Sequence, residues 1–170
     1  MSTASMNVEA DPLDPRRFRA VIGAFATGVV VITTETDGEY HGMTVNSLTS
    51  VSLDPCMLLI CLRLGSTTGQ AIRKRGEFTV NILAAHQRDL LHRFVNTRVA
   101  DRFAGLDVEF SPGGMPLLPG AIAHICCRVA AIHRGGDHDI VVGEVLTCRD
   151  RDGPPLVFHK GTFGAFRTDS

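Results

Sequence analysis

The segment Gly135-Gly136-Asp137-His138 sets a carboxylate beside an imidazole in a stretch too glycine-rich for regular structure. Gly-Gly-Asp is ordinary turn chemistry, but histidine is not a usual turn residue. Apolar runs at Ile122–Ile132 and Ile140–Leu146 flank it, so the tetrapeptide is predicted to tip an antiparallel hairpin. A histidine at the rim of a sheet is placed to touch a ligand. Read alone, it also fits a solvated loop residue.

Two further segments could carry chemistry. Thr44-Val45-Asn46-Ser47-Leu48-Thr49-Ser50 is polar for a stretch that precedes a breaker and an apolar strand. Its small hydroxyl and amide groups suit hydrogen bonds to a flat heteroaromatic ligand, or equally a solvent-facing strand. Arg63-Leu64-Gly65-Ser66-Thr67-Thr68 lies between that apolar strand and a helix. Hydroxyls and free N–H groups at a helix N-terminus attract an anion such as phosphate, although Ser66 or Thr67 could be a plain cap.

Other chemistries find little support. His133, His138 and Asp139 invite a metal, but two adjacent glycines leave their geometry loose and no third histidine has a helpful spacing. A Gly-x-Ser-x-Gly elbow, a Walker loop and a strand-to-helix Gly-x-Gly-x-x-Gly are all absent from the sequence. Cys126 and Cys127 are neighbours on a predicted strand, where successive side chains face opposite ways.

The elements that must position these residues are read from period and punctuation. Asp14-Pro15 is predicted to start a helix with Phe18, Val21, Ile22 and Phe25 on one face, ending near Thr27-Gly28. Strands are predicted at Val29–Thr34, Gly42–Leu53, Met57–Leu62, Phe78–Leu83 and Leu156–His159, besides the two arms of the hairpin. Helices are predicted at Ser66–Arg75, capped by Gly76, and at Gln87–Val95. Pro112, Gly113, Gly114, Pro116 and Pro119 mark an irregular loop. Strands mostly follow strands, so the fold class is mostly β, an antiparallel sheet or barrel with peripheral helices.

The 170 residues suit one domain, read as 14–170 behind a loose tail at 1–13. Net charge is −1, so nothing in it points to general nucleic-acid or membrane-surface binding, and neither is expected as a partner. Five cysteines without a C-x-x-C pair, and a polar acidic start, point to the cytoplasm. No apolar run approaches membrane-span length.

Taken in order, the pieces resemble the short-chain flavin reductase family, the reductase components of two-component flavin-dependent monooxygenases. The resemblance runs from about Pro15 to Phe166. It is carried by 25–33 (FATGVVVIT), 42–47 (GMTVNS), 50–55 (SVSLDP), Ser66-Thr67-Thr68, 78–83 (FTVNIL), Asp101-Arg102-Phe103 and Gly136-Asp137-His138. The chain departs from the pattern at Cys56, where many relatives carry a second proline.

The resemblance implies an FMN-binding split β-barrel, a Greek-key barrel working as a homodimer. It implies hydride transfer from NADH or NADPH to FMN or FAD, with reduced flavin passed to a partner monooxygenase. Thr44, Val45, Asn46, Ser47 and Leu48 would lie along the isoalloxazine ring. Cys61, Leu62, Arg63, Ser66, Thr67 and Thr68 would wrap the ribityl chain and phosphate. Val95, Asn96, Arg102 and Phe103 would lie close to the flavin. Gly136, Asp137 and His138 match the motif linked to nicotinamide binding and hydride transfer, so His138 and Asp137 would be the catalytic residues, with His138 positioning the nicotinamide. A flavin-storage module and an oxidase of the pyridoxamine-phosphate type are the alternatives on the same fold.

Overall fold

The computed structural model describes residues 13–96, 99 and 101–166. The predicted tail, apart from Leu13, and the last four residues of the predicted domain lie outside them.

Helix α1 (Pro15–Ile22) begins as expected, with the Asp14 carboxylate accepting from the Arg16 N–H at 2.9 Å. It ends at Gly23, before the predicted stop, and Thr27–Gly28 is instead a short strand, β1. Strands β2 (Val30–Thr36) and β3 (Glu39–Val45) form a hairpin. Its Asp37-Gly38 turn takes positive φ at both residues, 56° and 80°, as a type I′ hairpin turn requires.

Next come β4 (Thr49–Leu53), β5 (Cys56–Arg63), α2 (Thr67–Arg75), β6 (Glu77–Ile82) and α3 (Arg88–Val95). Two-residue strands β7 (Glu109–Phe110) and β8 (Pro116–Leu117) frame the proline-rich loop. The long hairpin β9 (Ala123–Gly135) and β10 (His138–Asp150) follows, then β11 (Leu156–His159) and β12 (Thr162–Ala165). Helix α2 carries both predicted caps: the Ser66 hydroxyl accepts from the Gly69 N–H, and Gly76 closes it at φ 77°.

The main sheet is antiparallel, in the order β3-β2-β6-β9-β10-β5-β4. One expectation is corrected here. The predicted single strand Gly42–Leu53 is two strands, β3 and β4, which form the opposite edges of this sheet. Only Asn46, Ser47 and Leu48 join them. Seven strands laid flat would separate the edges by about 29 Å, whereas the link from Val45 to Thr49 spans at most about 14 Å. The sheet therefore curls until its edges approach. Ser47 holds the seam: its hydroxyl accepts from the Cys61 N–H at 2.9 Å and donates to the Cys61 carbonyl at 3.1 Å.

Strand β2 explains why its sequence shows no alternation. Val30 and Ile32 face the inside of the curl with Leu58, Ile60, Leu62, Ile72 and Phe78. Val29 and Val31 face a second core with Leu83, Leu91, Phe94, Phe103 and Leu118. A strand buried on both faces reads as a continuous apolar run. Asn81 is fully buried and saturated, donating to the Val31 carbonyl and the Thr33 hydroxyl and accepting from the Leu118 N–H. It ties the proline-rich loop to the sheet.

Candidate functional site

The hairpin tip is the two-residue turn Gly136-Asp137, inside the predicted tetrapeptide, because β9 and β10 pair up to Gly135↔His138. Gly136 sits at φ 62°, a conformation that L side chains adopt at a cost. The Asp137 carboxylate receives the His138 Nδ1 hydrogen at 2.8 Å, leaving Nε2 as the free edge of the ring. That hydrogen bond and the imidazole's charge hold the Asp137 carboxyl below its ordinary range. His138 is about two-fifths exposed, so the free edge is open to a ligand.

The tip is stitched to the end of β5. His138 pairs with Arg63 in register, and the Leu64 N–H donates to the Asp137 carbonyl at 3.1 Å. Three residues on, Ser66 starts α2. The motif read as nicotinamide-binding and the segment read as phosphate-binding are thus adjacent in space, although about 70 residues apart in sequence.

Along β3 two concavities follow one another. A cleft of about 720 Å³ is lined by Tyr40, His41, Gly42, Thr67, Thr68 and Arg102, among others. The Arg102 guanidinium is oriented by donating to the Gly42 carbonyl at 2.7 Å. The α2 N-terminus and the Arg102 guanidinium offer an anion contacts on one wall, while Glu39 and Asp101 also line the cleft. A smaller apolar pocket of about 170 Å³ is lined by Val29, Thr44, Val45, Asn46, Leu91, Val95, Phe158 and Phe163. The Thr44 hydroxyl is buried there with no hydrogen-bond partner, and such a group is costly unless a ligand meets it. An apolar pocket with one waiting hydroxyl, next to a cleft with an arginine and a helix N-terminus on one wall, fits a group with a planar body and an anionic tail. Flavin has that shape.

The structure sorts the predicted residues. Thr44, Val45, Asn46 and Val95 line the pocket; Thr67, Thr68 and Arg102 line the cleft. Arg63, Gly136, Asp137 and His138 gather at the tip, with Ser66 capping the adjacent helix. Other side chains are engaged within the fold. The Leu62 side chain is in the core and cannot touch a ligand. The Ser47 hydroxyl is committed to Cys61, so it serves the seam and not a ring. Leu48 packs against the inner core. Phe103 lines the cleft beside Arg102, its ring mostly buried edge-on against Phe94 at 5.1 Å. Asn96 closes α3, its N–H bonded to the His92 carbonyl.

Four site residues were not foreseen. His41, whose Nε2 is buried without a partner, faces the cleft with Tyr40. Phe158 and Phe163 come from the β11–β12 hairpin, whose Lys160-Gly161 turn has φ 46° and 81°. A Lys-Gly pair followed by Thr-Phe was the available signal for that second strand.

A family model described as "Flavin reductase like domain" matches residues 22–167. The chain is 41% identical over 163 residues to the flavin-dependent monooxygenase reductase subunit HsaB of Rhodococcus jostii, covering 95% of this chain and 83% of that protein. It is 46% identical over 151 residues to the FMN reductase (NADH) SmoA of Agrobacterium fabrum, covering 89% and 86%. Among solved structures, the NADH:FAD oxidoreductase of Streptomyces globisporus, in complex with NAD and FAD fragments, superposes with a TM-score of 0.87. That match has 36% identity over 95% of this chain and 99% of that one.

Proposed function

The chain belongs to the flavin reductase-like family, and from that premise we propose that it is an NADH- or NADPH-dependent flavin reductase. It moves hydride from the nicotinamide to FMN or FAD and supplies the reduced flavin to a partner monooxygenase. The observation that carries this reading is the Leu64–Asp137 hydrogen bond. It joins the His138 turn to the strand end that leads into the Ser66-capped helix.

Flavin, when bound, supplies the two-electron acceptor. The protein supplies orientation and a field. Thr44 offers its hydroxyl to the ring edge, and Val29, Leu91, Phe158 and Phe163 exclude water from that side. Thr67, Thr68 and Arg102 would hold the phosphate. Asp137 fixes the His138 ring through Nδ1, so that Nε2 is presented to the carboxamide or pyrophosphate of the nicotinamide cofactor. His138 positions; the hydride transfer needs no proton from it.

The domain is read as 14–170, working as a split-barrel homodimer. Support comes from α1, which buries none of its residues although Phe18, Val21 and Ile22 lie on one face. A second copy of the chain would cover such a face. Five free thiols suit a cytoplasmic setting.

Steady-state NADH and NADPH oxidation with FMN or FAD tests the proposal. His138→Ala is expected to raise the nicotinamide KM or lower kcat by about tenfold while flavin affinity stays within about twofold. Flavin binding without nicotinamide consumption by the unmodified protein would return the storage reading.

A further inference from the structure

We propose that Arg73 and Asp139 form a positioning pair that fixes the His138 turn and thereby sets the affinity for the nicotinamide cofactor. The proposal rests on the flavin reductase reading of the site. The last turn of α2 carries three consecutive bases, each engaged by an acid elsewhere in the fold. Lys74 pairs with Asp37 and Arg75 with Glu35, at 3.4 Å, so two of them bind the helix to the β2–β3 hairpin. Arg73 alone of the three reaches β10, its Nη2 lying 2.6 Å from Asp139 Oδ2. The helix is thus an anchored strut, and Arg73 transmits its position to the residue that follows His138.

Two features distinguish this pair from a surface ion pair of no consequence. The Asp139 side chain is 13% exposed, against 68% for Asp37. Its carboxylate has left most of its water, and removing the guanidinium would strand a desolvated charge. Strand alternation also places residues 138 and 139 on opposite faces of β10. The ion pair therefore holds the start of β10 from behind and leaves the His138 ring free. Residues 138 and 139 are also paired with β5 and β9, and the turn adds the Leu64–Asp137 backbone bond, the Asp137–His138 side-chain bond and a 3.2 Å bond from Arg134 Nε to the Gly136 carbonyl, none of which engages the Asp139 carboxylate.

The test compares Asp139→Asn, Arg73→Gln, their double variant and the conservative Arg73→Lys with the unmodified protein. Three readouts are taken: nicotinamide KM and kcat, flavin Kd, and amide hydrogen exchange of residues 136–139 in the flavin-free protein. Each single variant is expected to raise nicotinamide KM about three- to tenfold with flavin Kd unchanged and exchange at the tip accelerated. The double variant should be no worse than either single one, and Arg73→Lys should restore most of the effect. Lower thermal stability with unchanged KM and unchanged exchange would overturn the proposal, as would additive effects in the double variant. If the unmodified protein consumes no nicotinamide cofactor, the reductase reading fails separately. The exchange arm then decides the pair by itself: faster exchange in Asp139→Asn supports the positioning role and unchanged exchange overturns it.

Discussion

His124 shows how much one buried side chain can organise. Its Nε2 hydrogen goes to the Leu118 carbonyl at 2.9 Å, and Nδ1 accepts from Arg149 Nε at 3.3 Å, so the ring is held neutral. Burial, foremost, lowers its pKa from 6.5. Protons then bind the unfolded chain more readily than the native one. The stability from a neutral His124 is complete above about pH 6.5 and declines as pH falls from there toward the lowered native value. Thermal melts across that range should show the decline, and His124→Gln should flatten it. Glu109 and Asp137, whose pKa values are also lowered, act in a separate acidic window below their ordinary 4.5 and 3.8. Among single residues, the Gly136-Asp137-His138 turn was legible because turn chemistry is local. The side-chain environments of Leu62 and Ser47 were not. Whether a side chain faces a ligand or a core depends on which strands arrive from elsewhere.

Elements carry their own constraints. A Cβ at Gly42 would lie 2.5 Å from Phe94 Cε1 and 3.2 Å from Phe103 Cζ. Gly42→Ala is therefore expected to cost about 1–3 kcal/mol in denaturant unfolding. It should also weaken flavin binding in a fluorescence titration, because Arg102 is oriented by the same residue's carbonyl. Gly143→Ala meets Phe78 at 2.7 Å and should destabilise comparably while leaving flavin affinity unchanged. Removing the Ser66 hydroxyl with Ser66→Ala should cost about 1 kcal/mol by the same unfolding measurement. Helix caps such as Ser66 and Gly76 were readable in the sequence, since they satisfy groups only a few residues away. The split of Gly42–Leu53 into opposite sheet edges was not. Asn46-Ser47-Leu48 contains neither glycine nor proline, and the break is made by the curl of the whole sheet.

At the scale of the molecule, the mostly-β class followed from strands succeeding strands, but the strand order did not, because pairings such as β10 with β5 join distant segments. The exposed face of α1, together with Phe25, Val51 and Leu53, is more apolar surface than an isolated domain comfortably presents to water. Light scattering is expected to give the mass of a dimer, and Phe18→Asp with Ile22→Asp should shift it to monomer. A monomeric unmodified protein would contradict that assignment. The central claim concerns electron flow through the cleft and pocket along β3. The direct measurement is loss of nicotinamide absorbance by purified protein, followed with and without added FMN or FAD. The account predicts turnover that depends on added flavin and falls sharply in His138→Ala at limiting NADH. Flavin-independent consumption, or none despite bound flavin, would contradict it.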